Sequence, residues 1–570
     1  MRSPRSAGLL LAIVFGLCAT AWAQGGSGRA GRGTAAQGTP AQGASVPQQA
    51  PPGTAAGRGG RGGTGGTPAG RAAGFYDFDT TAAAGAGIAD AKPAETHQKI
   101  VINGEPLAYT ARAGFMALRN ATTGQSEAHL FFTSYEKDGL ADSSSRPLVF
   151  FVGGEPGVAA SWQELGGLGP KRVKWTGDGP AGAPYAWTDN PHTLLAQADL
   201  VFVNPVGTAF SRPDQPNRGP DFWNTAGDLA SLGEFVRSFL NAYDRRTSRL
   251  FIAGDDFGTA RAAGLANYLG EHQIPVAGLV LFSMTPSGDA IAGDAQYLTL
   301  MPSLALAAWH HKKLAADLQA MDAEQIAEQA RQFAAREYLH ALYKGDRMTP
   351  EERTKVIADL SRLTGLSKAF IANNNLRIPL DRFAAELLRE ARQTLSSDDA
   401  RTSGYVPPPS GGGRGGGGRG FGAAATADFR DTHVAAVFLS AYEMYLRRQM
   451  GFVNTNNAIY YLSSGGVGTF TSTGSDEASL AGAFARNPGL RLFVAVNFFD
   501  LKAPFYASEF TLAHLNVLPQ VRTRNITVGH YEAGRMVYRD ENALPRLHRD
   551  LARFITGAAS GPRTNDSRER

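Results

Sequence analysis

Residues 250–264 read Leu250-Phe-Ile-Ala-Gly-Asp-Asp-Phe-Gly-Thr-Ala-Arg-Ala-Ala-Gly264. An apolar run, a turn bracketed by Gly254 and Gly258 and an alanine-rich continuation spell strand, sharp turn and helix. That is the pattern of a nucleophile elbow, in which small residues let a strained turn lift one central side chain to the top of a sheet. The central residue is Asp256.

Working outward, further short apolar runs stand at Pro147-Leu-Val-Phe-Phe-Val152, Leu200-Val-Phe-Val203, Val276-Ala-Gly-Leu-Val-Leu-Phe282 and Leu492-Phe-Val-Ala-Val496. They are continuous rather than alternating, which suits strands of a parallel sheet covered on both faces. Between the second run and the elbow, Leu229, Leu232, Phe235, Val236, Phe239, Leu240 and Tyr243 keep a helical period, with Thr225 and Asp228 placed as a start signal. From about Ser303 to Met450 the pattern is helical, and strands are expected to resume near residue 459. The order predicts an α/β fold with a mainly parallel sheet and an inserted helical cap. The expected boundaries are a first core part at 75–290, the cap at 291–455, a second core part at 456–558 and a polar tail at 559–570.

The flanks differ in kind. Arg2 and Arg5, an apolar run through Cys18 and an Ala21-Trp-Ala23 ending describe a secretory signal peptide over residues 1–23. The apolar run is too short for a membrane-spanning anchor. From Gln24 to Gly74, 17 of 51 residues are glycine and none is acidic, a composition that cannot offset chain entropy by burial and predicts a disordered spacer. A second glycine-rich run at 410–422 is expected to be a mobile loop.

Seven of the 56 basic residues precede residue 75, leaving 49 against 51 acids in the remainder. No basic face for nucleic acid follows from that balance. With the sole cysteine in the signal peptide, thiolate nucleophiles and zinc-thiolate or iron–sulfur sites are excluded from the mature chain. No metal or cofactor site is expected. His310 and His311 are adjacent on a helix, about 100° apart, so they would not readily share a metal.

From about residue 97 to 556 the chain resembles the bacterial branch of the serine carboxypeptidases, an α/β-hydrolase family. The resemblance is carried by Arg146-Pro-Leu-Val-Phe-Phe-Val-Gly-Gly-Glu-Pro-Gly157, Leu168-Gly-Pro170, Asn190-Pro191, Asn204-Pro-Val-Gly-Thr-Ala-Phe-Ser211, Gly254-Asp-Asp-Phe-Gly258, Asp500-Leu-Lys-Ala-Pro504 and Tyr531-Glu-Ala-Gly-Arg-Met-Val-Tyr538. Tyr297 and Trp309, in a segment that also resembles the family, could line a peptide cleft or pack in the core.

The departures fall on the chemistry. The resemblance places the family's nucleophilic serine at Asp256 and its histidine at Arg535, and keeps the triad acid as Asp500. In Ser-His-Asp chemistry the histidine takes the serine proton and returns it to the leaving group. An arginine, with a pKa above 12, cannot. The oxyanion and substrate loop is Gly153, Gly154 and Glu155, with Asp255 and Phe257 flanking the elbow. Gly153 replaces an asparagine, and Glu155 brings a carboxylate where an oxyanion would form, the wrong sign of charge. An aspartate nucleophile is possible on this fold but still needs a histidine to activate water. His530, the nearest in sequence, is expected on the adjoining strand.

Three readings follow. The first is an exported pseudoenzyme, periplasmic or extracellular, binding a peptide or protein ligand. The second is an active carboxypeptidase-like or aspartate-nucleophile hydrolase, and the third a structural envelope protein. Under the first, the Arg535 guanidinium is expected between Asp256 and Asp500, with both acids ionised and their pKa values depressed.

Overall fold

The computed structural model describes residues 91–154, 156–176, 179–180, 186–286, 288–405, 429–454, 470–472 and 476–557. The chain divides into two units, Met1–Ala72 and Ala73–Arg570, and every described residue lies in the second. The expected signal peptide, spacer, glycine-rich loop, polar tail, the strand near residue 459 and Glu155 all fall outside the described residues.

Nine strands form the path of the main sheet: β1 (Ala94–Ile102), β2 (Glu105–Arg119), β3 (Ser126–Lys137), β4 (Leu148–Phe151), β5 (Asp199–Val203), β6 (Leu250–Asp255), β7 (Val276–Phe282), β8 (Arg491–Asn497) and β9 (Ile526–Tyr531). Their spatial order is β1-β2-β3-β5-β4-β6-β7-β8-β9, and the two-residue strand Arg212–Pro213 adds to β3. Pairing is antiparallel from β1 through β3 to β5 and parallel from β5 to β9. The chain has an α/β-hydrolase fold.

The parallel strands are buried on both faces, as their unbroken apolar runs require. Phe150, Ile252, Leu281 and Val494 point into one core. Phe151, Phe251, Phe282 and Phe493 point into the other. On the first face pack α1 (Thr225–Ala242) and α2 (Phe257–Glu271), and on the same core lie α3 (Ala295–His310), α4 (Ala323–Phe333), α5 (Pro350–Thr364) and α7 (Asp476–Arg486). The other face is covered by α6 (Phe429–Arg448) and α9 (Leu544–Gly557), while α8 (Phe505–His514) follows β8 on the first side. The inserted helices α3 to α6 therefore share the cores of the sheet.

The expected start of α1 shifts by one residue. Asn224 is the cap, its side chain accepting from the Gly227 amide at 2.9 Å. Asp228 is instead buried against Arg261, whose Nε donates to it at 2.6 Å. The antiparallel β1–β3 carries a subtler pattern than the runs the sequence reading found. In β1, Lys99 and Val101 face outward while Ile100 and Ile102 are buried, the period of two expected of a half-covered edge strand.

Candidate active site

The elbow has the strained backbone its glycines permit. Asp256 sits at φ 55° and ψ −123°, between the end of β6 and the first residue of α2. Its amide donates to the Phe282 carbonyl at 3.0 Å, and its own carbonyl accepts from the Thr259 amide at 2.9 Å. A Cβ on Gly254 would collide with the Gly258 carbonyl, and one on Gly258 with the Gly153 carbonyl. Both glycines are thus dictated by close backbone approach. The loop facing the elbow is equally fixed. Gly153 has φ 72°, Asn204 accepts from the Ala160 amide at 2.9 Å, and Asn190 donates to the carbonyls of Gly167 and Gly169 at 2.7 and 2.8 Å. The two asparagines in the Asn-Pro segments are therefore loop clamps.

Four strand ends deliver three charged groups and one hydroxyl. Asp256 follows β6, Thr285 follows β7, Asp500 follows β8 and Arg535 follows β9. The structure brings Asp256 and Arg535 together: Nη2 of the guanidinium pairs with Oδ2 of the carboxylate. Oδ1 of Asp256 accepts the Thr285 hydroxyl at 2.8 Å. Both side chains are nearly buried, 12% and 10% exposed. The Arg535 carbonyl is held by the Ser283 hydroxyl at 2.7 Å and the Asn497 amide at 3.2 Å.

The second acid on the guanidinium is Asp398, not Asp500 as expected. Asp398 Oδ1 stands 3.3 Å from Nη1 of Arg535 and 2.9 Å from Nζ of Lys502. Asp398 belongs to the loop Ser396–Thr402 of a small hairpin whose strands are Gln393–Leu395 and Ser403–Tyr405. Nothing in an Asp-Asp pair within a helical region signals this role, because the pairing arises from the path of the insertion.

Asp500 is wholly buried and turned to the backbone. Its Oδ1 accepts the amides of Lys502 and Ala503 at 3.0 and 2.9 Å, while Oδ2 is buried without a hydrogen bond. The nearby Ser283 hydroxyl donates elsewhere, to the Arg535 carbonyl. Burial pushes the Asp500 pKa up to about 7, assisted by the charge of Asp398 and opposed by the Ala503 amide. The expected depression is overturned because desolvation dominates where no cation compensates.

Asp255 accepts the Tyr538 hydroxyl, and burial followed by that carboxylate raises the phenol well above its ordinary pKa. Phe257 stacks under Arg261 at 5.5 Å and meets Phe470 edge-on at 5.3 Å. His530 lies on β9, bonded through Nε2 to Glu509 at 2.5 Å and packed near Phe498. His311 bonds the Ala400 carbonyl at 2.7 Å through Nε2, and His310 packs on Phe499. Trp309 donates to the Met321 carbonyl at 3.0 Å and packs with Tyr297 against the first core. Among the described residues no cluster of acids and histidines could hold a metal, and no helix is long and apolar enough to cross a membrane.

No protein-family model matches the chain, and no curated protein matches it in sequence. Solved structures do. Kex1Δp, a prohormone-processing carboxypeptidase from Saccharomyces cerevisiae, superposes with a TM-score of 0.51 at 14% identity, over 79% of this chain and 91% of that one. Proline iminopeptidase from Mycobacterium smegmatis gives 0.31 at 11% identity, over 81% and 98%. An aryl esterase from Burkholderia cenocepacia gives 0.33 at 12% identity, over 78% and 99%. At such identities the likeness speaks to the fold, and the first of these agrees with the strand order: this is an α/β-hydrolase-fold chain.

Proposed function

We propose that the chain is an exported pseudoenzyme of serine carboxypeptidase ancestry that binds a peptide or protein ligand with little or no hydrolysis. One observation carries the reading. The side chain raised at the elbow has both carboxylate oxygens engaged, one by Arg535 and one by Thr285. A nucleophile must present an oxygen to the substrate and must have a base to activate it or to activate the water that follows. Arg535 offers no base, and the imidazole nearest in sequence, His530, is bonded to Glu509 on β9. The orphaned Oδ2 of Asp500 fits the same history, since the triad acid orients a histidine ring that is no longer there. Export rests on the N-terminal sequence pattern alone.

The test is hydrolysis of N-blocked dipeptides with a free C-terminus by the purified protein. No turnover above buffer is expected from the native chain or from Asp256→Ser, which still lacks a base. Asp256→Ser with Arg535→His should remain slow, since the family resemblance puts Gly153 and Glu155 at the oxyanion and substrate positions. Native turnover abolished by Asp256→Ala would overturn the reading in favour of an aspartate nucleophile.

A further inference from the structure

The sheet begins with a long strand that pairs on one side only. β1 and β2 are joined by the two-residue turn Asn103-Gly104, at φ 53° and 85°, with Ile102 opposite Glu105. A turn of that kind makes its flanking residues a hydrogen-bonded pair, and the ladder alternates from there. Thr96, Gln98, Ile100 and Ile102 therefore bond to β2, while Glu95, His97, Lys99 and Val101 turn their amides and carbonyls to the outer edge. The next register agrees, since the Ala108 carbonyl faces β3 and accepts the Asp138 amide at 3.0 Å. Among the described residues no other strand pairs with that outer edge. The strand is also fixed from beneath. Thr96 and Gln98 donate to the Gln449 carbonyl at 3.3 and 2.9 Å, and the Gln449 amide returns a bond to Gln98 at 2.9 Å. β1 spans nine residues without a proline or a bulge. At the opposite edge β9 has six, of which only Thr527 is exposed.

We propose that β1 joins two copies of this chain, paired antiparallel about a two-fold axis at His97. Charge selects both the partner and the register. Outward-bonding residues must face outward-bonding residues, so the odd-numbered positions oppose one another. Centred on His97, the pairing sets each Glu95 opposite Lys99 of the second copy, on the same exposed face of the sheet. Centred on Gln98 it would set Lys99 against His97 and Glu95 against Val101, and centred on Thr96 it would set Lys99 against Pro93. A lysine on an edge strand ordinarily repels further strands. Here Lys99 makes no ion pair among the described residues, and it meets its complement only in a second β1 at one register. The Glu95 carboxylate, 47% exposed, can take that ammonium while keeping the Arg112 Nε at 2.8 Å. The inference is independent of the chemistry at the elbow.

Sedimentation velocity of the full chain, with hydrogen exchange over β1, tests it. A concentration-dependent dimer should form below about 100 µM, the range of a small interface. Its amides at Glu95, His97, Lys99 and Val101 should exchange more slowly as the dimer fills. Lys99→Glu turns both attracting pairs into repelling ones and should raise the dimer Kd about tenfold or more. Glu95→Lys should do the same, and an equal mixture of the two variants should restore association, because each repelling pair becomes an attracting one. A native chain that stays monomeric, a dimer that survives Lys99→Glu, or a mixture that fails to associate would overturn the proposal. So would β1 amides protected at every concentration, which would assign the edge to another segment of the same chain. Should Glu95→Lys fail to fold, Lys99→Glu at an exposed, unpaired side chain decides with the exchange measurement.

Discussion

The two edges of the parallel sheet carry arginine–aspartate clusters of similar make-up and different finish. At the N-terminal edge, Asp199 opens β5 and accepts three donors, the Lys137 amide and Arg146 Nε at 3.0 Å and Arg245 Nη1 at 2.8 Å. Arg245 also donates to the Ser248 hydroxyl at 2.8 Å and the Arg146 carbonyl at 3.2 Å, and it is entirely buried. At the C-terminal edge, Arg535 joins Asp256 and Asp398, but one contact is long, the cluster touches solvent, and a third acid beside it has an oxygen with no hydrogen bond. The first cluster reads as a clamp built for stability. The second lies at the edge where open α/β sheets bind ligands, and its charges nearly but not fully satisfy one another, as the proposed pseudoenzyme reading requires of a former reaction site.

Removing one member of each cluster measures that difference. Asp199→Ala strands a wholly buried guanidinium and should cost about 3–5 kcal/mol, read by chemical denaturation. Arg535→Ala strands two carboxylates, but Thr285 still serves Asp256 and Lys502 still serves Asp398, so about 3 kcal/mol or less is expected. A larger loss at Arg535 than at Asp199 would break the comparison, because it would make the C-terminal cluster the principal clamp.

The same contrast explains what the sequence could disclose. The elbow and the parallel strands were legible because each depends on local pattern, apolar runs and glycines at a spacing forced by backbone collision, whereas the meeting of Asp256 with Arg535 was expected only from the family resemblance of the motifs that carry them. The strands β1 to β3 escaped because one side of an edge strand faces water, which dilutes an apolar run to alternate residues. Asp398 escaped for another reason. It reaches Arg535 only because a hairpin some 140 residues upstream in sequence folds back over the ends of β8 and β9, and no periodicity encodes that return. The family resemblance put the triad acid at Asp500, and the expected depression of its pKa failed because sequence shows the charge and not the desolvation.

Asp500 makes the unfinished character of the C-terminal edge measurable as a pH dependence. Its folded-state pKa of about 7 stands above the 3.8 of an ordinary exposed aspartate, so between those limits the native chain holds a proton that the unfolded chain has released. Raising the pH through that window therefore destabilises the fold, with the penalty absent below about 4 and complete above about 7. Glu164, buried and pushed up to about 7 by desolvation, acts in the same direction. Asp500→Asn keeps an oxygen for the Lys502 and Ala503 amides and removes the ionisation. It should flatten part of the slope and stabilise the protein at pH 8 by about 1–3 kcal/mol. An unchanged slope would show that Asp500 is compensated in the folded chain and that the edge is better finished than the geometry indicates.

The smallest expected effect tests the Asp256 side of the cluster. Thr285→Val preserves shape and removes only the hydroxyl that donates to Asp256 Oδ1 at 2.8 Å, so the loss should be about 1 kcal/mol. A double-mutant cycle with Asp256→Ala separates this bond from packing, because the coupling vanishes if the two side chains act independently. A coupling near 1 kcal/mol would show that the hydroxyl and the arginine together occupy the carboxylate, leaving it no oxygen to offer a substrate. A coupling of zero would mean that Oδ1 is available at the top of a strained elbow. In that case the comparison between a finished structural edge and a retired catalytic edge would no longer hold, and the aspartate would again have to be considered as a nucleophile.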